Sequence, residues 1–257
     1  MLSFNGKAQT NRNLDVFKEF LNVCNSYKQL PLYLSAELKK TYNMPSVGDD
    51  SSEKRVEFYV LADGAYIHYG DYEQVINDSL ALVVLGDIKQ MVLSRNTSPV
   101  SEQLKLLTGQ PQGDSSISSL GERYEGKKIT LAENKASIEI NSKGKVQGTS
   151  ISRESIEIVF DPKTSNPEKV VTIKRFLVPV PAEEAATGNK IVKENLIEIP
   201  GKGSFFLYEE KTSFSYKQID HNNKIQLPVV MGDRIIKTGD GDYIPVKMFE
   251  NFSVIQN

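Results

Sequence analysis

Two runs decide the fold class of this chain: Ser155-Ile-Glu-Ile-Val-Phe160 and Lys169-Val-Val-Thr-Ile-Lys174, joined by the turn-forming residues 161–167. Apolar and polar side chains alternate in the first run, as expected for a β-strand with one face in a core. Similar short runs, separated by turn residues, recur from Lys127 to Asn257. The spacing of the turns predicts an antiparallel β-sandwich or barrel over residues 127–257.

The N-terminal part predicts a small unit of helices followed by hairpins. Apolar side chains recur every three or four residues over Leu14–Tyr27, which indicates a helix capped by Asn13. A second, shorter helix is predicted to begin after Ser35 and to run through Leu38 to Tyr42. Hairpins are then predicted at Arg55–Leu61 with Ala65–Tyr69 around Asp63-Gly64, and at Leu80–Leu85 with Ile88–Leu93 around Gly86-Asp87.

Leu80–Leu85 is apolar throughout and lacks alternation, so we expect this strand to be covered on both faces. Residues 96–126 are rich in Ser, Gly, Gln and Pro, which predicts a flexible linker or long loop. The expected organisation is therefore an α+β unit at 1–95, a connector at 96–126 and an antiparallel β domain at 127–257. The fold class is α+β and β-rich.

Charge and composition exclude some classes of function. The formal net charge is −2 and the pI is near 5.9, and neither half of the chain has a strong basic excess. Affinity for nucleic acid that rests on phosphate contacts is therefore disfavoured. The single cysteine, Cys24, excludes an intramolecular disulfide and a cysteine-based zinc site. Its place on the apolar helix stripe indicates a small buried side chain.

The chain shows no membrane or export signal. Met1–Thr10 is polar, without the basic start and apolar core of a secretory signal. The longest apolar run, Leu80–Leu85, is far shorter than the roughly 20 residues needed to cross a bilayer. We expect a soluble protein synthesised in the cytoplasm, without membrane contact.

Residues suited to catalysis are few. Only His68 and His221 can act as acid–base groups near neutral pH. His68 lies in a predicted strand and His221 in a predicted turn, and no Gly-x-Ser-x-Gly elbow is present. A structural role is favoured for both. The segment Gly201-Lys-Gly-Ser204 is interpreted as a hairpin turn, because it lacks the spacing of a phosphate-binding loop.

One acidic cluster leaves a metal-dependent alternative open. Asp233, Asp240 and Asp242 lie in a glycine-rich region, and their carboxylates are suitable oxygen ligands for a hard cation. A metal-assisted hydrolase that uses these three residues is therefore one alternative. Gly and Asp are also typical of hairpin turns, so a strand–turn–strand interpretation stands beside it.

An aromatic constellation leaves a second alternative. Phe214 and Tyr216, with Lys211 and Lys217, lie in a predicted hairpin formed by residues 204–208 and 213–216. Aromatic faces beside lysines can stack and hold bases, which predicts a nucleic-acid-binding β-barrel module. The simpler interpretation is that one face fills a core while the other is solvated.

The preferred hypothesis is a non-catalytic structural or assembly protein that acts through protein–protein contacts. Many strand edges beside few catalytic groups favour this role, since an edge can accept a partner's strand. Protein partners or self-association into an oligomer are expected, and no cofactor is expected. A component of a viral particle or another large complex is the specific form of this hypothesis.

Overall fold

The structure is a computed structural model that describes residues 5–43, 53–95, 117–132, 134–180 and 194–256, with side chains from residue 14 onwards. Neither described helix combines the length and apolarity needed to span a membrane. The helices are α1 (Asn5–Asn25) and α2 (Ile117–Arg123). The strands are β1 (Leu32–Tyr42), β2 (Glu53–Val60), β3 (Gly64–Tyr69), β4 (Tyr72–Asn77), β5 (Leu80–Leu85), β6 (Gln90–Arg95), β7 (Tyr124–Thr130), β8 (Ala136–Ser142), β9 (Glu154–Phe160), β10 (Pro167–Pro179), β11 (Leu196–Ile199), β12 (Gly203–Asp220), β13 (Ile235–Lys237), β14 (Tyr243–Pro245) and β15 (Ser253–Gln256).

The predicted β-rich α+β class is confirmed. The described strands form one 13-stranded, mostly antiparallel sheet and a two-stranded sheet of β13 and β14. The pairing of β15 with β6 is parallel. The strands at Ser155–Phe160 and around Lys169–Lys174 are β9 and β10, which pair in an antiparallel ladder as their alternation predicted.

Two compact units divide the chain, and both are drawn from separate parts of the sequence. Unit 1 comprises Met1–Cys24, Leu38–Glu53 and Pro111–Ser215. Unit 2 comprises Asn25–Glu37, Lys54–Gln110 and Tyr216–Asn257. The long strands β1 and β12 therefore contribute residues to both units. The predicted division at residues 96–126 stays a prediction, since residues 96–116 lie outside the described ranges.

In unit 1, strands β12, β10, β9, β8 and β7 are neighbours in that order. Residues that pair directly across two strands point to the same face of the sheet. The face that carries Ile138, Ile158 and Val170 is apolar. Phe17 and Phe20 of α1 are also fully buried. The buried side chains on this face of the sheet are Tyr124, Ala136, Ile138, Ile140, Ile156, Ile158, Phe160, Val170, Phe206 and Phe214.

In unit 2, strands β15, β6, β5, β4, β3 and β2 are neighbours in that order, followed by the first half of β1. The prediction that Leu80–Leu85 is covered on both faces is confirmed, because the successive residues Ala81 and Leu82 are both buried. Strand β4 was not predicted, although it lies between the two predicted hairpins. Together β2 to β6 form a meander of antiparallel strands.

The predicted helices need two corrections. Helix α1 begins at Asn5, so Asn13 lies inside the helix and does not cap it. The second predicted helix, which was to begin after Ser35 and run through Leu38 to Tyr42, is wrong, because residues 36–42 belong to β1. Ala, Glu, Leu and Lys in this stretch favour helix. Long-range pairing with β12 satisfies the backbone as a strand instead.

The predicted hairpin and the predicted connector also differ from the structure. Residues 204–208 and 213–216 were expected to form a hairpin, and this is wrong, since both belong to the continuous strand β12. Residues 209–212 between them contain no glycine, proline or asparagine to reverse the chain. Within the predicted connector, α2 begins at Ile117 and β7 at Tyr124.

We predict that Gly126→Ala destabilises unit 1. A Cβ atom at Gly126 would lie 2.9 Å from Cγ1 of Val16 and 3.4 Å from Cε1 of Phe17. Because α1 approaches β7 this closely, the added methyl group should cost about 1–3 kcal/mol of unfolding free energy, measured by chemical denaturation. Gly121→Ala is the control, because its Cβ would meet only Phe17 Cε2 at 3.9 Å, inside α2. Equal destabilisation by the two variants would contradict the close approach.

Candidate functional site

Residues 221–256, here called the C-terminal segment, lie across one face of the unit 2 sheet. After β12 the chain forms a 3₁₀ turn at Met231–Asp233, the β13–β14 hairpin, a second 3₁₀ turn at Lys247–Phe249 and β15. All these elements are short. The segment is therefore held largely by side-chain contacts with the sheet.

The covered sheet face is apolar and shielded from water. Its members come from β3 to β6 and are almost fully buried together with Ile235 of β13. The sheet residues are Tyr66, Val75, Leu82, Val84, Met91 and Leu93. Residues of the C-terminal segment that pack against them are Leu227, Val229, Met231, Tyr243, Phe249, Phe252 and Val254. The segment thus completes the hydrophobic core of unit 2.

One ion pair fixes the segment on this face. Arg234 Nε donates to Glu73 Oε2 at 2.9 Å, and Nη2 lies 2.8 Å from the same oxygen. The side chains of Arg234 and Glu73 are only 13% and 21% exposed. The guanidinium also lies 4.9 Å from the ring centroid of Phe249, within range for a cation–π contact. Arg234 therefore joins the segment to β4 and to its own second 3₁₀ turn.

The pKa of Tyr66 is affected by burial and by the two charges of this ion pair. Burial raises the pKa of its phenol, and the negative charge of Glu73 raises it further. The positive charge of Arg234 opposes these effects. At neutral pH the phenol is therefore a neutral group, able to donate and accept hydrogen bonds.

The end of the segment closes an edge of the unit 2 sheet. Ser253 and Gln90 are the first residues in the parallel pairing of β15 with β6. The amide of Ser253 also donates to the carbonyl of Lys89 at 3.0 Å. The edge of β6 is therefore occupied by the chain itself.

The outer face of the β13–β14 hairpin is apolar as well. Ile235 points into the core, so its neighbour Ile236 points outward and lies opposite Ile244 in the ladder. Ile236 and Ile244 are 52% and 46% exposed, and Met248, in the 3₁₀ turn that follows β14, is 81% exposed. We call these three residues the hairpin patch. Five of the nine exposed large hydrophobic side chains among the described residues lie in the C-terminal segment.

The acidic residues considered for a metal lie in two separate turns. Asp233 accepts a hydrogen bond from the amide of Val230 at 2.8 Å and so closes the first 3₁₀ turn. Asp240 and Asp242 lie in the turn of the β13–β14 hairpin, where the carbonyl of Asp242 accepts from the amide of Thr238 at 2.7 Å. Within the described part of the chain, no three His, Cys, Asp or Glu side chains are grouped to hold a metal ion.

The aromatic residues considered for nucleic acid lie on β12 beside the two lysines. Phe214 is buried, and the ring of Tyr216 lies 5.7 Å from that of Tyr27. Lys211 and Lys217 occupy odd positions of the same strand, so they point to the opposite face. Lys217 pairs with Glu37 at 2.9 Å. The strand thus separates the basic groups from the aromatic rings.

Both histidines contact neighbouring groups of unit 2. The ring of His68 is parallel to that of Tyr66, with centroids 6.3 Å apart. Nδ1 of His221 lies 2.8 Å from the carbonyl oxygen of Gln29 and 3.1 Å from that of Pro31. A carbonyl only accepts, so this nitrogen carries hydrogen and ties the turn after β12 to the start of β1.

Two smaller interpretations of the sequence are confirmed. Cys24 is buried in α1, as expected for a small hydrophobic side chain. The segment Gly201–Ser204 lies at the turn between β11 and β12, whose pairing begins at Ile199 and Gly203. Gly201 has φ +74° and Gly203 has φ +96°, conformations that glycine adopts without strain.

Comparison with known proteins identifies no family. No family model and no curated protein matches the sequence. A solved complex of MucA and MucB from Pseudomonas aeruginosa is similar at 12% identity and a TM-score of 0.43, over 87% of this chain and 64% of that chain. The chain thus spans less than two thirds of the length of that structure.

Two further solved structures are similar at a lower level. An uncharacterised conserved protein from Thermus thermophilus has 10% identity and a TM-score of 0.39, over 93% of this chain and 99% of that chain. A LolA superfamily protein from Nitrosomonas europaea has 7% identity and a TM-score of 0.26, over 82% and 94%. All these values are too low to carry an argument about function. The finer prediction of a viral particle gains no support from them.

We predict that Arg234→Met loosens the C-terminal segment. The substitution keeps much of the apolar stem but leaves Glu73 without its cation, which should cost about 2 kcal/mol of unfolding free energy. The control is Lys217→Met, because this ion pair is exposed. The side chain of Lys217 is 56% exposed, and that of its partner Glu37 is 41% exposed. An exposed pair contributes less than about 1 kcal/mol. Equal losses in chemical denaturation would contradict the anchoring role of Arg234.

Proposed function

We propose that this protein is a non-catalytic binding protein that holds a protein partner on the hairpin patch. The observation that carries the proposal is the exposure of Ile236 and Ile244 on a hairpin whose opposite side is built into a core, with Met248 exposed in the 3₁₀ turn that follows. A concentration of exposed apolar side chains on a soluble surface typically marks an interaction site. The polar residues of the hairpin turn lie beside the patch, as in the rim of an interface.

Burial of the hairpin patch would supply substantial binding energy. Covering one Ile or Met side chain contributes about 1.5–3 kcal/mol relative to leaving it exposed. Ile236 and Ile244, which lie opposite each other on one face, are therefore suited to the centre of an interface, where a few residues carry most of the affinity. Their chemistry favours an apolar surface on the partner.

The hairpin patch is also held in place before a partner arrives. Ile235 and Tyr243, on the inner side of the same hairpin, pack against the sheet. Arg234 directly precedes β13, and the carbonyl of Arg234 accepts from the amide of Val246 at 2.9 Å, which extends the β13–β14 pairing. A partner therefore need not order this surface on binding, and less entropy is lost.

The placement of the candidate catalytic groups favours binding over chemistry. His221 contacts backbone carbonyls, and Asp233 is used to close a turn. Asp240 and Asp242 belong to the turn between β13 and β14, whereas Asp233 precedes β13. A nucleophile, a base and an orienting group must lie within hydrogen-bond reach of one another for covalent catalysis. The proposal therefore assigns the hairpin region to recognition.

The test compares the double variant Ile236→Ser/Ile244→Ser with the wild-type chain. Proteins retained from the native source are identified, purified and titrated against both forms by calorimetry. We expect the variant to bind the purified partner at least about 100-fold more weakly, because two buried anchors are lost. If the partner is a second copy, light scattering should show dissociation of the variant instead.

Ile88→Ser is the matched control, because Ile88 is even more exposed but lies in the β5–β6 turn. We expect this variant to bind like the wild-type chain. The proposal is contradicted if the purified partner binds the patch variant as tightly as the wild type. It is equally contradicted if the wild-type chain retains no partner and stays monomeric at high concentration.

A further inference from the structure

A cleft of about 510 Å³ opens in unit 2 between the sheet and the start of the C-terminal segment. Its volume lies within the range of sites that hold small organic molecules. It is distinct from the hairpin patch, which does not line it. The described lining residues are Leu61, Asp63, Val75, Ile76, Asn77, Gln226, Leu227, Val230, Met231 and Gly232.

Leu227 and Met231 give the cleft an apolar floor. The C-terminal segment packs closely against β3 at this point. A Cβ atom on Gly64 would lie 3.2 Å from Cδ1 of Leu227 and 2.8 Å from the carbonyl oxygen of Ile76. The missing side chain at Gly64 thus lets Leu227 rest on the beginning of β3. Met231 adds a thioether, which makes favourable contacts with aromatic rings. Leu227 therefore suits an apolar group, and the thioether of Met231 favours an aromatic one.

The polar groups of the cleft determine which charge a ligand should carry. Asp63 is the one charged side chain among the described lining residues, and it is exposed at the turn between β2 and β3. Gln226 contributes an amide whose oxygen can accept a second hydrogen bond. No described lysine or arginine lines the cleft. A cation is therefore favoured there and an anion disfavoured.

We infer that this cleft binds an arylalkyl ammonium ligand. The aromatic ring lies on Leu227 and Met231, while the ammonium donates to Asp63 and to the amide oxygen of Gln226. An ammonium has three hydrogens to donate, so both acceptors are used together. The inference does not depend on the proposed protein partner, because it concerns a different surface.

The test uses two indole probes that differ in charge, tryptamine and indole-3-propionate. The chain contains no tryptophan, so indole fluorescence excited at long wavelength reports the probe alone. We expect tryptamine to bind about tenfold more tightly than indole-3-propionate, since Asp63 is exposed and its attraction is partly screened. Anisotropy and the emission maximum of the probe provide the binding curves.

Three variants locate the site. Asp63→Asn should remove the preference for tryptamine while leaving the apolar floor. Gly232→Leu should weaken binding of tryptamine, because Gly232 lines the cleft and a Cβ there meets no atom within 4 Å, which leaves room for a larger side chain at the cleft. Gly239→Leu is the control, since Gly239 has the same open surroundings but does not line the cleft. Circular dichroism confirms that each variant is folded.

The inference is overturned if tryptamine does not bind the wild-type chain, or if both probes bind equally well. It is also overturned if folded Gly232→Leu binds tryptamine like the wild type, or if Asp63→Asn keeps the full preference for the cation. Weaker binding in Gly232→Leu with retention in Gly239→Leu supports it. None of these results bears on the hairpin patch, so the two proposals can fail separately.

Discussion

Burial of one apolar face of the unit 2 sheet is the interaction on which this account depends. Tyr66, Leu82 and Met91 lie on that face and are almost fully buried. Strands β3 to β6 do not bury this face by themselves, because the C-terminal segment packs over them. The ion pair between Arg234 and Glu73 then fixes the orientation of the segment. The outer surface of the hairpin is presented by the same packing that completes the core.

The surfaces proposed for binding follow from this arrangement. In a three-residue strand such as β13, adjacent isoleucines must point to opposite sides, so Ile235 enters the core and Ile236 does not. That pair of isoleucines was a signal in the sequence that an apolar surface lies on both sides of the strand. The cleft had no comparable signal, since Asp63 and Met231 are brought together by tertiary packing alone. Spacing along the chain cannot reveal such a site.

Local patterns were sufficient for strands whose partners are near in sequence. Alternation predicted β9 and β10, and the apolar run at Leu80–Leu85 predicted a strand buried on both faces. Local patterns failed for β1, where the helix-forming residues 36–40 lie in a strand that pairs with β12, far along the chain. They failed again in β12, whose polar centre resembled a turn. In both places distant hydrogen-bond partners outweighed local preference.

Native-state hydrogen exchange tests the central claim most directly. If the C-terminal segment is an integral part of the unit 2 core, amides of β13 and β15 exchange through the same opening as those of β6. Their opening free energies then equal that of β6 and fall together as denaturant is added. The account is contradicted if β13 and β15 exchange through a separate opening of much lower free energy while β6 stays protected.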